Sequence, residues 1–213
     1  MIRRILSNVI ETTFPQHGEN VFYQNPFTCS ETIPFGWLSS VTPCFPIKSS
    51  NISILTDPHQ FYDILLRFGA NAGERITLAS LYLGNGKLEK KFVEVILNNP
   101  NFKQSSLKVN ILMDYTRGSR FADNSRTTLL PLLKENSENC EISLYHTPEL
   151  RGLMKKVVPD RWNELFGLQH MKLYIFDDTL IISGANLSND YFTNRQDRYF
   201  IIRDKNYVIF TMV

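Results

Sequence analysis

Apolar and polar positions fall into two regimes along the chain. Residues 1–50 show no sustained period, and Pro15, Pro26, Pro34, Pro43 and Pro46 interrupt them. That is half of the ten prolines, spaced so as to block long helices and central strands. The segment is nevertheless aromatic (Phe14, Phe22, Tyr23, Phe27, Phe35, Trp37, Phe45), which predicts packing against other protein. From residue 51 the pattern becomes regular. Strands are predicted at 51–55, 75–83, 107–113, 140–145, 170–176, 179–183 and 198–202. Helices are predicted from Asp57-Pro58, an N-cap followed by a first-turn proline, to about 71, then at 88–97 and 125–135. Residues 150–165 form a basic amphipathic stretch broken at Pro159. Alternating strands and helices specify an α/β layer structure. The last three strands follow one another with a hairpin turn at Asp177-Asp178, so the sheet is expected to be mixed, with helices on both faces.

Length and composition narrow the class. The 213 residues suffice for one large domain or two small ones, and 43% apolar with 21% charged residues excludes disorder and fibrous structure. Basic and acidic residues number 23 and 21, so the net charge of +2 exerts little global pull on nucleic acid. Anion binding must rest on local clusters. Five basic residues against two acidic ones occur twice, at 103–126 and at 151–172. The three cysteines (Cys29, Cys44, Cys140) form no CxxC pair, which argues against a disulfide framework or a zinc site. No apolar run approaches the ~20 residues that span a bilayer. The first ten residues carry Arg3 and Arg4 and no acid, a pattern compatible with the end of a mitochondrial presequence.

The chemistry concentrates in Gln169-His170-Met-Lys172-Leu-Tyr-Ile-Phe-Asp177. Alternation along a strand puts His170 and Lys172 on one face. An imidazole there can attack phosphorus or move a proton, and an ammonium can neutralise phosphoryl oxygens. A hairpin at Asp177-Asp178 sets Lys172 opposite Ser183 and His170 opposite Ala185, and Gly184 lets Asn186 turn toward the pair. A carboxylate at Asp197 could bond the far nitrogen of His170. Gly84-Asn85-Gly86 either lets backbone approach a diphosphate or is a plain strand-to-helix turn, since the Gly-Lys-Ser/Thr of a P-loop is lacking. Arg117, Arg120 and Arg126 could clamp a phosphate or pair within the protein. His146 could line a site or cap an end.

His170-Met-Lys172-Leu-Tyr-Ile-Phe-Asp177, followed by Ser183-Gly-Ala-Asn186, resembles the HKD motif of the phospholipase D superfamily. Further blocks resemble one family within it, the eukaryotic phosphatidylglycerophosphate synthases. They are Ala79-Ser-Leu-Tyr-Leu-Gly84, Asp114-Tyr-Thr-Arg117-Gly-Ser-Arg120, Asn124-Ser-Arg126-Thr, Tyr145-His146-Thr-Pro148, Leu150-Arg151-Gly152-Leu153 and Tyr191-Phe-Thr-Asn-Arg195-Gln-Asp197-Arg198-Tyr199. The resemblance runs over 51–204. It implies transfer of a phosphatidyl group from CDP-diacylglycerol to glycerol 3-phosphate, releasing CMP, in cardiolipin synthesis. It implies work as a peripheral enzyme at the mitochondrial inner membrane, a phosphohistidine intermediate, no metal or other cofactor, and no nucleic-acid partner. Carried onto this chain, it makes His170 the nucleophile, Lys172 the phosphoryl-binding cation, Asp177 the third motif residue, expected to organise its turn, Asn186 a second phosphoryl contact and Asp197 the carboxylate behind His170. Ser80, Tyr82, Gly84, Gly86, Arg117 and Arg120 are the expected substrate-binding residues.

One departure matters. The superfamily uses two such motifs from two similar lobes, and only one H-x-K-x-x-x-x-D occurs here. The expected organisation is an irregular segment 1–50, one phospholipase D-like lobe at 51–205, and a tail at 206–213 belonging to something cut short. The second motif would come from the rest of a longer enzyme or from a second copy of the chain. Two alternatives follow from the single motif: a homodimeric phosphodiesterase or nuclease, and a half enzyme that binds lipid head groups without turnover.

Overall fold

The structure is a computed structural model, and it describes residue 30 and residues 32–42, 44–148 and 167–210. The amphipathic stretch expected at 150–165 and most of the first fifty residues lie outside the described residues. The chain divides into two compact units, Met1–Pro46 and Ile47–Val213. In the first, the described residues hold one 3₁₀ helix, Ile33–Ser40.

The second unit opens with a 3₁₀ turn, Ser49–Asn51, and β1 (Ile52–Leu55). Then come α1 (Pro58–Asn71), β2 (Arg75–Ser80), α2 (Lys87–Leu97), the single turn α3 (Pro100–Lys103), β3 (Lys108–Asp114), the single turn α4 (Tyr115–Gly118), α5 (Ser125–Glu135) and β4 (Cys140–Tyr145). After the undescribed stretch follow β5 (Leu173–Phe176), β6 (Thr179–Ile182), α6 (Asn189–Thr193), β7 (Tyr199–Arg203) and α7 (Lys205–Phe210). Helix starts follow their caps. The Asp57 carboxylate accepts from the His59 and Gln60 amides at 2.8 and 3.3 Å, with Pro58 at the first helical position. Asn124 and Thr127 form a reciprocal capping box at α5.

The seven strands make one mixed sheet in the order β1-β7-β6-β5-β2-β3-β4. Pairs β2–β3 and β3–β4 are parallel, and the remaining four are antiparallel. Helices α1, α2 and α5 cover one face, where Phe61, Leu65, Phe92, Ile96, Leu129 and Leu132 pack on Ile76, Leu78, Val109, Ile111, Tyr174 and Ile201. On the opposite face Val208 of α7 packs on Ile175 and Leu180. Helices thus lie on both faces. No described helix is long and apolar enough to cross a membrane.

Two strand ends differ from the sequence reading. β2 stops at Ser80 rather than at 83, and β5 begins at Leu173 rather than at His170. The two differences have one cause. The last β2–β5 pair is Ala79↔Leu173 and the last β5–β6 pair is Leu173↔Ile182, so both neighbours leave the sheet at the same level. Residues 170–172 have no ladder partner and form the rim of the sheet.

Candidate active site

One edge of the sheet collects most of the chemistry. The C-terminal ends of β2, β3 and β6 meet the N-terminal ends of β5 and β7 there, because β5 runs antiparallel to both β2 and β6. Ser80, Asp114, His170, Lys172, Asn186 and Asp197 all sit at that edge. His170 is exposed, whereas Lys172 is buried and its Nζ donates to the His170 carbonyl at 2.8 Å. The contact folds the lysine back onto the backbone of residue 170, ahead of the first residue of β5. Asp197 accepts from the Gly184 amide at 3.3 Å and from the Arg198 amide at 2.6 Å. A Cβ at Gly184 would lie 2.6 Å from the Asp197 carboxylate, so glycine is what lets this acid reach the rim. Asn186 is buried, and its Oδ1 has no hydrogen-bond partner among the described residues. An aromatic floor fixes the turn before it: Tyr174 donates to the Ala185 carbonyl at 2.6 Å and contacts Phe61, which stacks on Tyr199 at 4.4 Å. Ser80 Oγ lies 3.5 Å from the Tyr174 hydroxyl and donates to the Tyr82 carbonyl at 3.2 Å.

The electrostatics favour a neutral imidazole. Desolvation, then the charges of Lys172 and Arg117, hold His170 below its ordinary pKa. Burial also lowers Lys172, with Asp197 acting in the opposite sense. Burial pushes the Tyr174 and Tyr199 hydroxyls up, so both remain protonated.

Asp177 lies at the other edge of the sheet. It is the first residue of the β5–β6 turn, in the left-handed region at φ 50°, which Asp tolerates better than most residues. Its carboxylate accepts from the amides of Gly73, Glu74 and Arg75 at 2.9, 2.8 and 3.0 Å. Arg75 in turn donates to the Asp177 carbonyl and pairs with Asp178 at 2.9 Å. The third motif residue therefore ties the hairpin to the start of β2, a whole strand away from His170.

Of the remaining expected residues, Tyr82, Gly84, Arg117 and Arg120, but not Gly86, line a cleft of about 250 Å³ together with Asn85, Phe121 and Asn124 among others. Arg117 lies over the Tyr82 ring at 5.4 Å, and its amide donates to Asp114 at 2.8 Å. Asp114 also accepts from the Gln169 amide at 3.2 Å, which connects the cleft to the residue preceding His170. Gly84 and Gly86 curl round the buried carboxylate of Glu89, which would collide with a side chain at either. Glu89 accepts from the Asn189 amide at 2.6 Å, and Gly84 donates to the Leu187 carbonyl at 2.8 Å, so the loop after β2 is fastened to the segment after Asn186. Three residues here escape sequence reasoning. Glu89 sits at a polar position of a helical pattern yet is buried, Phe121 belongs to no periodic segment, and Asn85 was legible only as the middle of a turn. His146 makes an edge contact with Tyr115 at 5.3 Å, and its Nδ1 donates to the Thr147 carbonyl at 2.9 Å. Arg126 is exposed at the start of α5. Among the described residues no three His, Cys, Asp or Glu side chains converge as a metal site.

Comparison with known proteins places this arrangement. The fold matches phosphatidylserine synthase of Haemophilus influenzae over 79% of this chain and 37% of that one (TM-score 0.60, 23% identity). It matches NucT of Helicobacter pylori over 76% and 90% (TM-score 0.55, 16% identity) and Nuc of Salmonella typhimurium, a phospholipase D family member, over 76% and 89% (TM-score 0.50, 12% identity). The chain is a phospholipase D-like lobe. In sequence it is 49% identical over 175 residues to the mitochondrial CDP-diacylglycerol–glycerol-3-phosphate 3-phosphatidyltransferase of Gallus gallus and 46% identical over 175 residues to that of Homo sapiens. It is 46% identical over 170 residues to the enzyme of Schizosaccharomyces pombe. These matches cover 79–80% of this chain, and over that stretch its sequence is similar to CDP-diacylglycerol–glycerol-3-phosphate 3-phosphatidyltransferases. It spans 31–33% of those relatives' length. No model of a known protein family matches the chain.

Proposed function

We propose that this chain supplies the nucleophilic half of a phosphatidyltransfer site, acting on CDP-diacylglycerol and glycerol 3-phosphate at the surface of the mitochondrial inner membrane. The observation that carries the reading is the rim pair, an exposed neutral-leaning imidazole on a buried ammonium, in a chain 45–49% identical to named phosphatidyltransferases. A nitrogen of His170 attacks the phosphatidyl phosphorus. The P–N bond forms, the P–O bond to CMP breaks, and CMP leaves with the electron pair. Lys172 and the Asn186 side chain face the phosphoryl oxygens, and Asp197 supports the positive imidazole that results. The leaving group is a phosphate whose second ionisation lies near ~6, so it departs with little help from an acid. The second step differs. A hydroxyl of glycerol 3-phosphate must lose its proton as it displaces His170, and that calls for a base. The base is the part a second histidine provides, from a longer enzyme or from a second copy of this lobe.

The test is CMP release from CDP-diacylglycerol in detergent micelles. The chain is expected to release about one CMP per molecule and to turn over only when a second H-x-K set is present. His170→Ala abolishes both phases. Release by His170→Ala at the unmodified rate, or cleavage of DNA in place of the lipid, overturns the reading.

A further inference from the structure

Phe121 contradicts the usual behaviour of a large apolar residue twice. Its side chain is 87% exposed, and its backbone lies in the left-handed region at φ 65°, where a bulky residue is strained. The loop that carries it is not slack. Asn124 Nδ2 donates to the Phe121 carbonyl at 2.8 Å, Asn85 Nδ2 donates to the Asp123 carbonyl at 2.9 Å, and Asp123 accepts from Thr127 Oγ1 at 2.8 Å and from Lys90 at 3.3 Å. A strained residue held out into solvent by several hydrogen bonds is being displayed, since a loop free to relax would fold the ring inward and recover the burial.

What the ring is displayed to is set by its neighbours. Phe121 shares its cleft with Arg117 and Arg120, two planar cations suited to phosphate oxygens. The Arg117 and Gln169 amides both donate to the Asp114 carboxylate, so the cationic side of the cleft adjoins the segment that carries His170. A ligand that satisfies this layout carries phosphate at one end, near the nucleophile, and a flat ring at the other.

We infer that the Tyr82–Arg117–Arg120–Phe121 cleft is the subsite for the nucleoside phosphate that leaves in the reaction, with Phe121 as the platform on which its base stacks. This rests on the transfer reading above and goes beyond it by separating donor from acceptor. Glycerol 3-phosphate has no ring to offer Phe121 and enters from elsewhere. Because stacking reads the face of a base rather than its edge, the subsite anchors the leaving nucleotide without contributing strongly to the choice of base.

Binding without chemistry tests this separately from catalysis. The full chain is titrated with CMP and with ribose 5-phosphate, followed by NMR, alongside Phe121→Ala and Phe121→Tyr. Phe121→Ala is expected to weaken CMP about tenfold and to leave ribose 5-phosphate within twofold. Phe121→Tyr, which keeps the platform, is expected to bind CMP like the parent. Equal loss of both ligands in Phe121→Ala would mean the residue only shapes the loop. Unchanged CMP affinity, or glycerol 3-phosphate competing as well as CMP does, overturns the assignment, as does loss of binding to cardiolipin-containing vesicles with CMP affinity intact, which would make Phe121 a membrane contact. All these readouts stand whatever His170→Ala does to CMP release.

Discussion

A neutral imidazole is the form of histidine that attacks phosphorus, and three features of the chain act on His170 in that direction: partial desolvation, the Lys172 ammonium and the Arg117 guanidinium. Each disfavours the protonated ring, so each lowers the pKa and extends the neutral form to lower pH. Replacing Arg117 by Gln removes one positive charge and must raise the His170 pKa. The His170 ring resonances followed by NMR against pH are expected to titrate at higher pH in that variant, and the acid limb of CMP release is expected to move the same way. An unchanged or lowered midpoint would show that Arg117 does not act on the imidazole. Asp177, spelled into the same motif, belongs to a different problem. Its carboxylate holds three backbone amides at the far edge of the sheet. Asp177→Ala is expected to cost about 2–3 kcal/mol in urea unfolding, with Asp177→Asn milder. Neither is expected to change the His170 titration.

At the scale of elements, much was legible because the sequence rules act locally. Asp57-Pro58 opens α1, and the apolar spacing of Leu88, Phe92, Val95 and Ile96 marks the inner side of α2, where Phe92 and Ile96 are buried and Leu88 and Val95 half-buried. The two-residue loop at Asp177-Asp178 fixes the β5–β6 register, which ends at Leu173 opposite Ile182, one pair short of the expected Lys172–Ser183. Errors arose where tertiary contacts override local pattern. Residues 81–83 and 170–172 have strand-like sequences, but the ladders end before them, and only an isolated bridge from Leu83 to Leu187 continues the pairing. Gly84-Asn85-Gly86 reads either as backbone open to a diphosphate or as a plain strand-to-helix turn, and the space beside both glycines is filled by Glu89, a residue whose burial no period announces. Phe121 was invisible for a related reason, since exposure of an apolar ring is decided by how its loop is fastened. The Glu89 arrangement predicts strong coupling. Gly84→Ala forces a methyl onto Glu89 and is expected to cost about 1–3 kcal/mol. Glu89→Ala removes the obstacle along with the Asn189 contact, so the double variant should be more stable than the two single costs add up to. Additive thermal unfolding shifts would show that loop and carboxylate are independent.

Taken whole, the molecule pairs a well-covered sheet with a single motif. Helices lie on both faces, His170, Lys172 and the cleft of Tyr82, Arg117 and Phe121 lie toward one edge, and a single H-x-K-x-x-x-x-D is present in a chain that spans about a third of its relatives' length. The two half-reactions make unequal demands. Forming the P–N bond needs the imidazole, positive charge and a good leaving group, all of which this lobe is proposed to hold. Breaking it needs a base, which the proposal takes from a second H-x-K set. The chain alone is expected to charge itself once and wait. Intact mass measurement after incubation with CDP-diacylglycerol tests this most directly. The account predicts one phosphatidyl adduct per chain, acid-labile as a phosphoramidate is, mapped to His170 and missing in His170→Ala. A chain that never gains the adduct while CMP accumulates, or that carries it on any residue other than His170, would contradict the account.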